Sequence, residues 1–168
     1  MIKNNISLKW LTVYTKPRHE KKVAQKLRDK NFKVYLPLIR KKNQWSDRKS
    51  WVELPLFKSY LFVKAEIKNS SIITSTPGLI KIIRFGNNMA VVKDNKIRAL
   101  KLMLNGGYNP LPTDYFIKGD PVIVKDGPLK GIEGEVKRVD ENDRLILRID
   151  SIQNSLSIKI NRAFLKKV

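Results

Sequence analysis

Apolar and polar positions follow two different periods along this chain, and each change of period marks a change of element. Trp10–Thr15 (WLTVYT) is aromatic and β-branched and predicts a strand. Pro17 stands where a helix can start, because the N–H it lacks would be unpaired there anyway. From Arg18 to Lys30 the residues are good helix formers; Val23 and Leu27 are four apart with Ala24 beside them, which makes a narrow apolar stripe. His19, Lys22, Lys26 and Lys30 recur every three or four positions and so share another, exposed face. Asn31 is placed to end that helix. Phe32–Leu38 predicts a second strand, Arg40–Ser50 a polar and basic hairpin tip, and Trp51–Glu66 two strands around a short break. Lys68–Ser75 predicts a short helix, Leu79–Phe85 a strand, and Asp94 an N-cap for a helix through Met103. The order β-α-β-β-α-β with an added helix implies an α+β domain: an antiparallel sheet with helices packed on one side.

The pattern then breaks. Asn105–Phe116 (NGGYNPLPTDYF) carries two Gly and two Pro without a period and reads as a linker. Beyond it, Val122–Val124, Glu135–Val139, Arg144–Ile149 and Leu156–Ile160 are short β-rich runs separated by turn-forming residues, the pattern of a small all-β barrel. The expected organisation is a first domain over residues 1–104, a linker over 105–117 and a β-barrel over 118–168.

Charge sharpens this division. The 168 residues carry a formal net charge of +20. Residues 1–113 hold 24 Lys/Arg against 6 Asp/Glu, and residues 114–168 hold 11 against 9. Nearly all the excess lies in the first module, as charge asymmetry between two modules would produce, and it points to a polyanionic partner. The chain has no Cys and one His, which removes disulfides, thiolate metal sites and His-pair zinc sites. It contains no P-loop, no G-x-S-x-G and no metal-ligand spacing, so no enzyme, metal or cofactor is expected. Asp140, Glu141 and Asp143 read as a solvated turn. No run of 18 apolar residues and no apolar leader are present, so the expectation is a cytoplasmic protein without a membrane span.

One string carries recognition. Gly119–Val136, GDPVIVKDGPLKGIEGEV, resembles the KOW motif of NusG-type transcription factors and some ribosomal proteins, with Gly119, Asp120, Gly127, Gly131 and Gly134 as its marker positions. Val122 and Val124 alternate inward, Asp126-Gly127 makes a turn, and Gly131 and Gly134 permit positive φ or close backbone approach. The first module resembles the NusG N-terminal domain through Trp10 and the basic helix after it, PLFKSYLFV (Pro55–Val63) and TPGLIKIIRFG (Thr76–Gly86). The resemblance covers about residues 8–168. IRFG and KNQWSDRK (Lys42–Lys49) look closer to the RfaH-like and UpxY-like antiterminators than to general NusG. Lys58-Ser59 departs from the family's Pro-Gly, Ser70-Ser71 stands where RfaH has a Thr pair, and Pro77 stands where RfaH has a base-reading arginine.

The resemblance implies a monomeric transcription elongation factor that binds RNA polymerase and suppresses pausing or termination. The matching positions for the polymerase clamp helices are Phe57, Tyr60, Phe62, Phe85 and Ile97, and for the gate loop Ser70 and Ser71. For the non-template DNA strand, resemblance points to Lys16, Lys26, Lys30 and Thr76, and the shared helix face adds His19 and Lys22. The second module would bind ribosomal protein S10 or the termination factor Rho. Alternating strand residues are as readily core as interface, a Ser pair is as readily inert, and a lone surface His more often contacts no base. Arg40, Lys41, Lys42, Arg48 and Lys49 with Trp45 form a basic, aromatic tip that is either a solvated hairpin or a holder of single strands. Two other readings stand beside this one: a KOW-containing RNA- or ribosome-binding protein without polymerase contact, and a general nucleic-acid architectural protein.

Overall fold

The computed structural model describes residues 7–44, 49–108, 110–113, 119–139 and 142–168. The chain divides into two compact units, Met1–Val91 and Val92–Val168. The division precedes the last helix, whereas composition placed the boundary after it.

The first unit contains β1 (Lys9–Thr15), α1 (Glu20–Asp29), β2 (Lys33–Tyr35), β3 (Leu38–Gln44), β4 (Lys49–Pro55), β5 (Tyr60–Ala65), α2 (Ser70–Thr74), β6 (Leu79–Ile82), β7 (Arg84–Phe85) and β8 (Asn88–Met89), and ends in β9 (Val91–Val92). The main sheet runs β2-β5-β1-β6, with β9 also paired to β1; β5 is antiparallel to β1 and β2, and β6 is antiparallel to β1. Two-stranded ribbons, β3-β4 and β7-β8, form separately. Alternation along β1 sends Leu11 and Val13 to one face of the sheet. There they join Leu61, Val63, Ala65 and Ile82, the α1 stripe Val23, Ala24 and Leu27, and Ile73 of α2 in one buried cluster. Fully burying a side chain such as Leu27 contributes about 2 kcal/mol. Both helices therefore cover one face of the sheet, as the pattern predicts.

Local boundaries differ from the sequence reading. Pro17 does not open the helix: Arg18 follows it at φ 64, and α1 begins only at Glu20. Asn31 does terminate the helix. It lies at φ 63 and donates its N–H to Arg28 O, while the N–H of Phe32 reaches Leu27 O, the paired bonds of a Schellman motif. The predicted Phe32–Leu38 and Leu79–Phe85 strands are each broken in two, because β3 and β7 leave the main sheet to pair with β4 and β8.

The second unit contains α3 (Asp94–Asn105), β10 (Leu111–Thr113), β11 (Asp120–Val124), β12 (Glu133–Val139), β13 (Asn142–Ile149), β14 (Asn154–Lys159) and β15 (Leu165–Lys167). Lys93, not Asp94, is the N-cap of α3, and Asp94 sits in its first turn, where an acidic side chain complements the helix dipole. The six strands form one antiparallel sheet in the order β10-β14-β13-β12-β11-β15. Its core is Val122, Val124, Leu129, Ile132, Leu145, Leu147, Leu156 and Ile158. β10 falls inside the stretch predicted as linker, and its residues pair with Ser155–Ser157 of β14. Proline content hid it: Pro112 lies in an end strand, where a missing donor is tolerated.

Candidate functional site

The face of the main sheet opposite the helices is aromatic. On β1 and β5 the register sets Thr12 against Phe62 and Tyr14 against Tyr60, and on β2 it sets Tyr35 against Phe62. The Tyr14 and Tyr60 rings lie 5.1 Å apart at 50°. Phe62 meets Tyr35 in a stacked pair at 6.3 Å and Phe57 edge-on at 6.4 Å. Such pairs add stabilisation beyond area burial. Burial pushes the Tyr35 phenol well above its usual range.

Burial sorts the residues expected at a polymerase interface. Phe62 is fully buried and Phe57 is 5% exposed, so both act as packing beneath the surface. Tyr60 is half-buried, and so is Tyr14, which the sequence reading missed. The signal was available: pairing the two predicted strands antiparallel sets the two tyrosines side by side. Phe85 projects from the β7-β8 ribbon, 54% exposed. Ile97 belongs to α3 in the second unit and is 2% exposed, which places it in the interior rather than on a contact surface. Ser70 and Ser71 begin α2, and they line a cleft of about 280 Å³ with Thr74, Ile80, Lys81, Ile82, Arg84 and Met89. Two cations thus stand beside the two hydroxyls.

The basic surface separates in the same way. Lys16, Lys22 and Lys26 are exposed, Lys16 on the turn after β1 and the other two on α1. Lys26 Nζ reaches Pro77 O at 3.5 Å, at the edge of hydrogen-bond range. Lys30 is differently placed: its ammonium donates to Ile72 O at 3.1 Å and Thr76 Oγ1 at 3.0 Å, tying the end of α1 to α2. Thr76 is 1% exposed, so it receives Lys30 and offers no surface to a nucleic acid. His19 is half-buried at the start of α1, with Nδ1 3.0 Å from Pro17 O. Its ring lies against Gly78, where an added Cβ would come within 3.2 Å of it. These three residues hold the fold together in the places where the sequence suggested nucleic-acid contacts. The hairpin-tip residues Trp45 and Arg48 lie outside the described residues, as do Asp140 and Glu141.

In the second unit the glycine string has a structural explanation. Gly131 sits at φ 83 in the turn closed by its own N–H to Val124 O. At Gly134 a Cβ would stand 2.7 Å from Ile146 O, so β13 requires glycine there. Gly127 occupies the preceding turn and Asp120 is exposed at the start of β11. Gly119 donates its N–H to Glu135 Oε2 at 2.8 Å, and Arg148 holds both oxygens of the same carboxylate at 2.7 and 2.8 Å. The Arg148 hydrogen bond, aided by the Gly119 N–H, keeps the Glu135 carboxyl below its usual range despite partial burial. Among the described residues no cluster of His, Asp or Glu could hold a metal ion, and no helix is long and apolar enough to cross a membrane.

Residues 8–101 match the sequence model of the family described as "Transcription termination factor nusG". The fold is similar to the structure described as "Domain interaction in Thermotoga maritima NusG", with a TM-score of 0.54, 21% identity, and coverage of 96% of this chain and 98% of that one. A weaker likeness, TM-score 0.31 at 21% identity over 95% of this chain and 97% of the other, is to the "MjSpt4:Spt5 complex conformation A". With more than half its length matched by that family, this chain belongs to the NusG family of transcription factors.

Proposed function

We propose that this protein is a non-catalytic transcription elongation factor that binds RNA polymerase and suppresses pausing or termination, as a specialised, operon-directed antiterminator. The observation that carries the reading is the Tyr14–Tyr60 pair, two half-buried aromatic side chains on a sheet face whose floor, Phe57 and Phe62, is packed. Aromatic anchors over a rigid base are what an interface hot spot needs. In this reading the tyrosines and Phe85 receive the clamp helices, and the cleft at Ser70 and Ser71, with Lys81 and Arg84 beside it, receives the gate loop. Contact on both sides of the DNA cleft favours the closed clamp, and a pause that needs clamp movement becomes less populated.

Lys16, Lys22 and Lys26 supply phosphate contacts to the non-template strand, which give affinity without sequence. The six-stranded second unit takes the KOW role, a barrel that binds ribosomal protein S10 or Rho. The test is retention of cognate RNA polymerase on the immobilised full chain after nuclease treatment, followed by elongation assays on a pausing template. Nuclease-resistant retention and shortened pauses support the reading. Retention of ribosomes or RNA alone, lost after nuclease, replaces it with the ribosome- or RNA-binding alternative.

A further inference from the structure

The β3-β4 ribbon is a two-stranded sheet of its own, outside the main sheet. Residues 38–55, which span it, carry five Lys/Arg against two Asp/Glu. Its register pairs Lys42 with Trp51 and Arg40 with Glu53. Side chains alternate along a strand, so these four share one face. Trp51 is 69% exposed there, whereas Trp10 in the main sheet is 3% exposed. Glu53 is occupied by Arg40, whose Nε donates to its carboxylate at 3.2 Å. Lys42 is exposed directly across from the indole. The ribbon is fastened to the basic helix, because Lys21 Nζ donates to Glu53 O at 2.8 Å. Lys22 is the next residue along α1.

An indole left open to water beside an exposed cation and a neutralised carboxylate is suited to a partner with alternating flat rings and negative charges. Unpaired nucleotides have both: every base offers a π-face and every linkage a phosphate. A duplex offers only the phosphates, with its bases stacked inside. We propose that this ribbon is a second nucleic-acid site, which stacks a base of single-stranded DNA on Trp51 while Lys42 holds a neighbouring phosphate. The assignment to DNA rests on the reading that the α1 lysines follow the non-template strand; the Lys21 tether makes the ribbon a continuation of that surface.

The experiment uses the full chain and a labelled oligo(dT) of about 12 nucleotides, within the usual site size for such surfaces. Fluorescence anisotropy would compare Trp51→Ala, Trp51→Phe and the triple variant Lys16→Glu/Lys22→Glu/Lys26→Glu. Equal-length oligo(U) and a duplex serve as comparators, and thermal unfolding checks each fold. Trp51→Ala should weaken oligo(dT) binding about tenfold or more, Trp51→Phe should retain most of it, and duplex binding should not change. Wild-type oligo(dT) affinity in Trp51→Ala overturns the proposal, as does an equal loss on duplex. Tighter, Trp51-dependent binding to oligo(U) overturns the DNA assignment. The triple variant separates the two readings. If it binds like wild type, the α1 strand path fails by itself; a Trp51→Ala loss in that background still locates a site on the ribbon.

Discussion

The buried carboxylate of Glu20 accepts the backbone N–H of Ser59 at 2.7 Å, across 39 positions of sequence. Ser59 lies at φ 65 in the turn before β5, and its carbonyl accepts the N–H of Thr15. The turn thus keeps the left-handed conformation at a residue other than glycine, and the first turn of α1 holds it there. Ser59→Gly should raise stability by about 1 kcal/mol, because the Cβ strain is removed and the N–H bond is kept. Glu20→Ala should lower it by about 1–3 kcal/mol, the cost of a buried N–H without a partner. Denaturant unfolding measures both, and a neutral Ser59→Gly would show that the turn is unstrained.

The aromatic face separates floor from surface. Tyr14→Ala with Tyr60→Ala should weaken polymerase retention at least tenfold and leave the circular dichroism spectrum native. Phe62→Ala should instead cost about 3–5 kcal/mol of stability, as truncation of a fully buried ring does. If the tyrosine pair unfolds the chain, both residues belong to the core.

The lysines of α1 divide into two kinds by their hydrogen bonds. Lys22→Ala and Lys26→Ala should each reduce the salt dependence of DNA binding, by about one in log–log slope where the lysine neutralises a phosphate. Lys30→Ala should leave the slope alone and lower the unfolding midpoint, because its ammonium links α1 to Ile72 and Thr76. A reduced slope in Lys30→Ala would show that its ammonium leaves those partners for DNA.

Glu135 gives the second unit an acid-sensitive clasp. Its carboxyl is held below its usual range by Arg148, so its ionised form stabilises the fold above the unfolded value of about 4.3. That contribution is lost as pH falls through the lower folded value. Glu135→Gln should cost about 1 kcal/mol at pH 7, with the difference from wild type closing below about pH 4. Urea titrations at pH 7 and pH 3.5 check this; a constant difference would assign the effect to packing.

Local physics made much of this protein legible in its sequence. The α1 stripe, the Asn31 terminator, the strand alternation and the positive-φ turns at Gly127 and Gly131 depend on neighbours a few residues away, and each leaves a periodic or conformational mark. The family resemblance rested on particular strings, GDPVIVKDGPLKGIEGEV, PLFKSYLFV and TPGLIKIIRFG. Tertiary structure decided the rest, because burial and partnership depend on what returns from far along the chain. Lys22 and Lys30 look alike on a helical wheel and both are exposed, yet the Lys30 ammonium is held by Ile72 O and Thr76 Oγ1. Tyr60 and Phe62 share a face of β5, yet packing seals one and leaves the other half open. β10 could not be read from a proline-rich stretch because the donors and acceptors that make it a strand belong to β14. Ser59 holds a left-handed conformation with its N–H on Glu20 and its carbonyl on Thr15, partners that only the fold delivers.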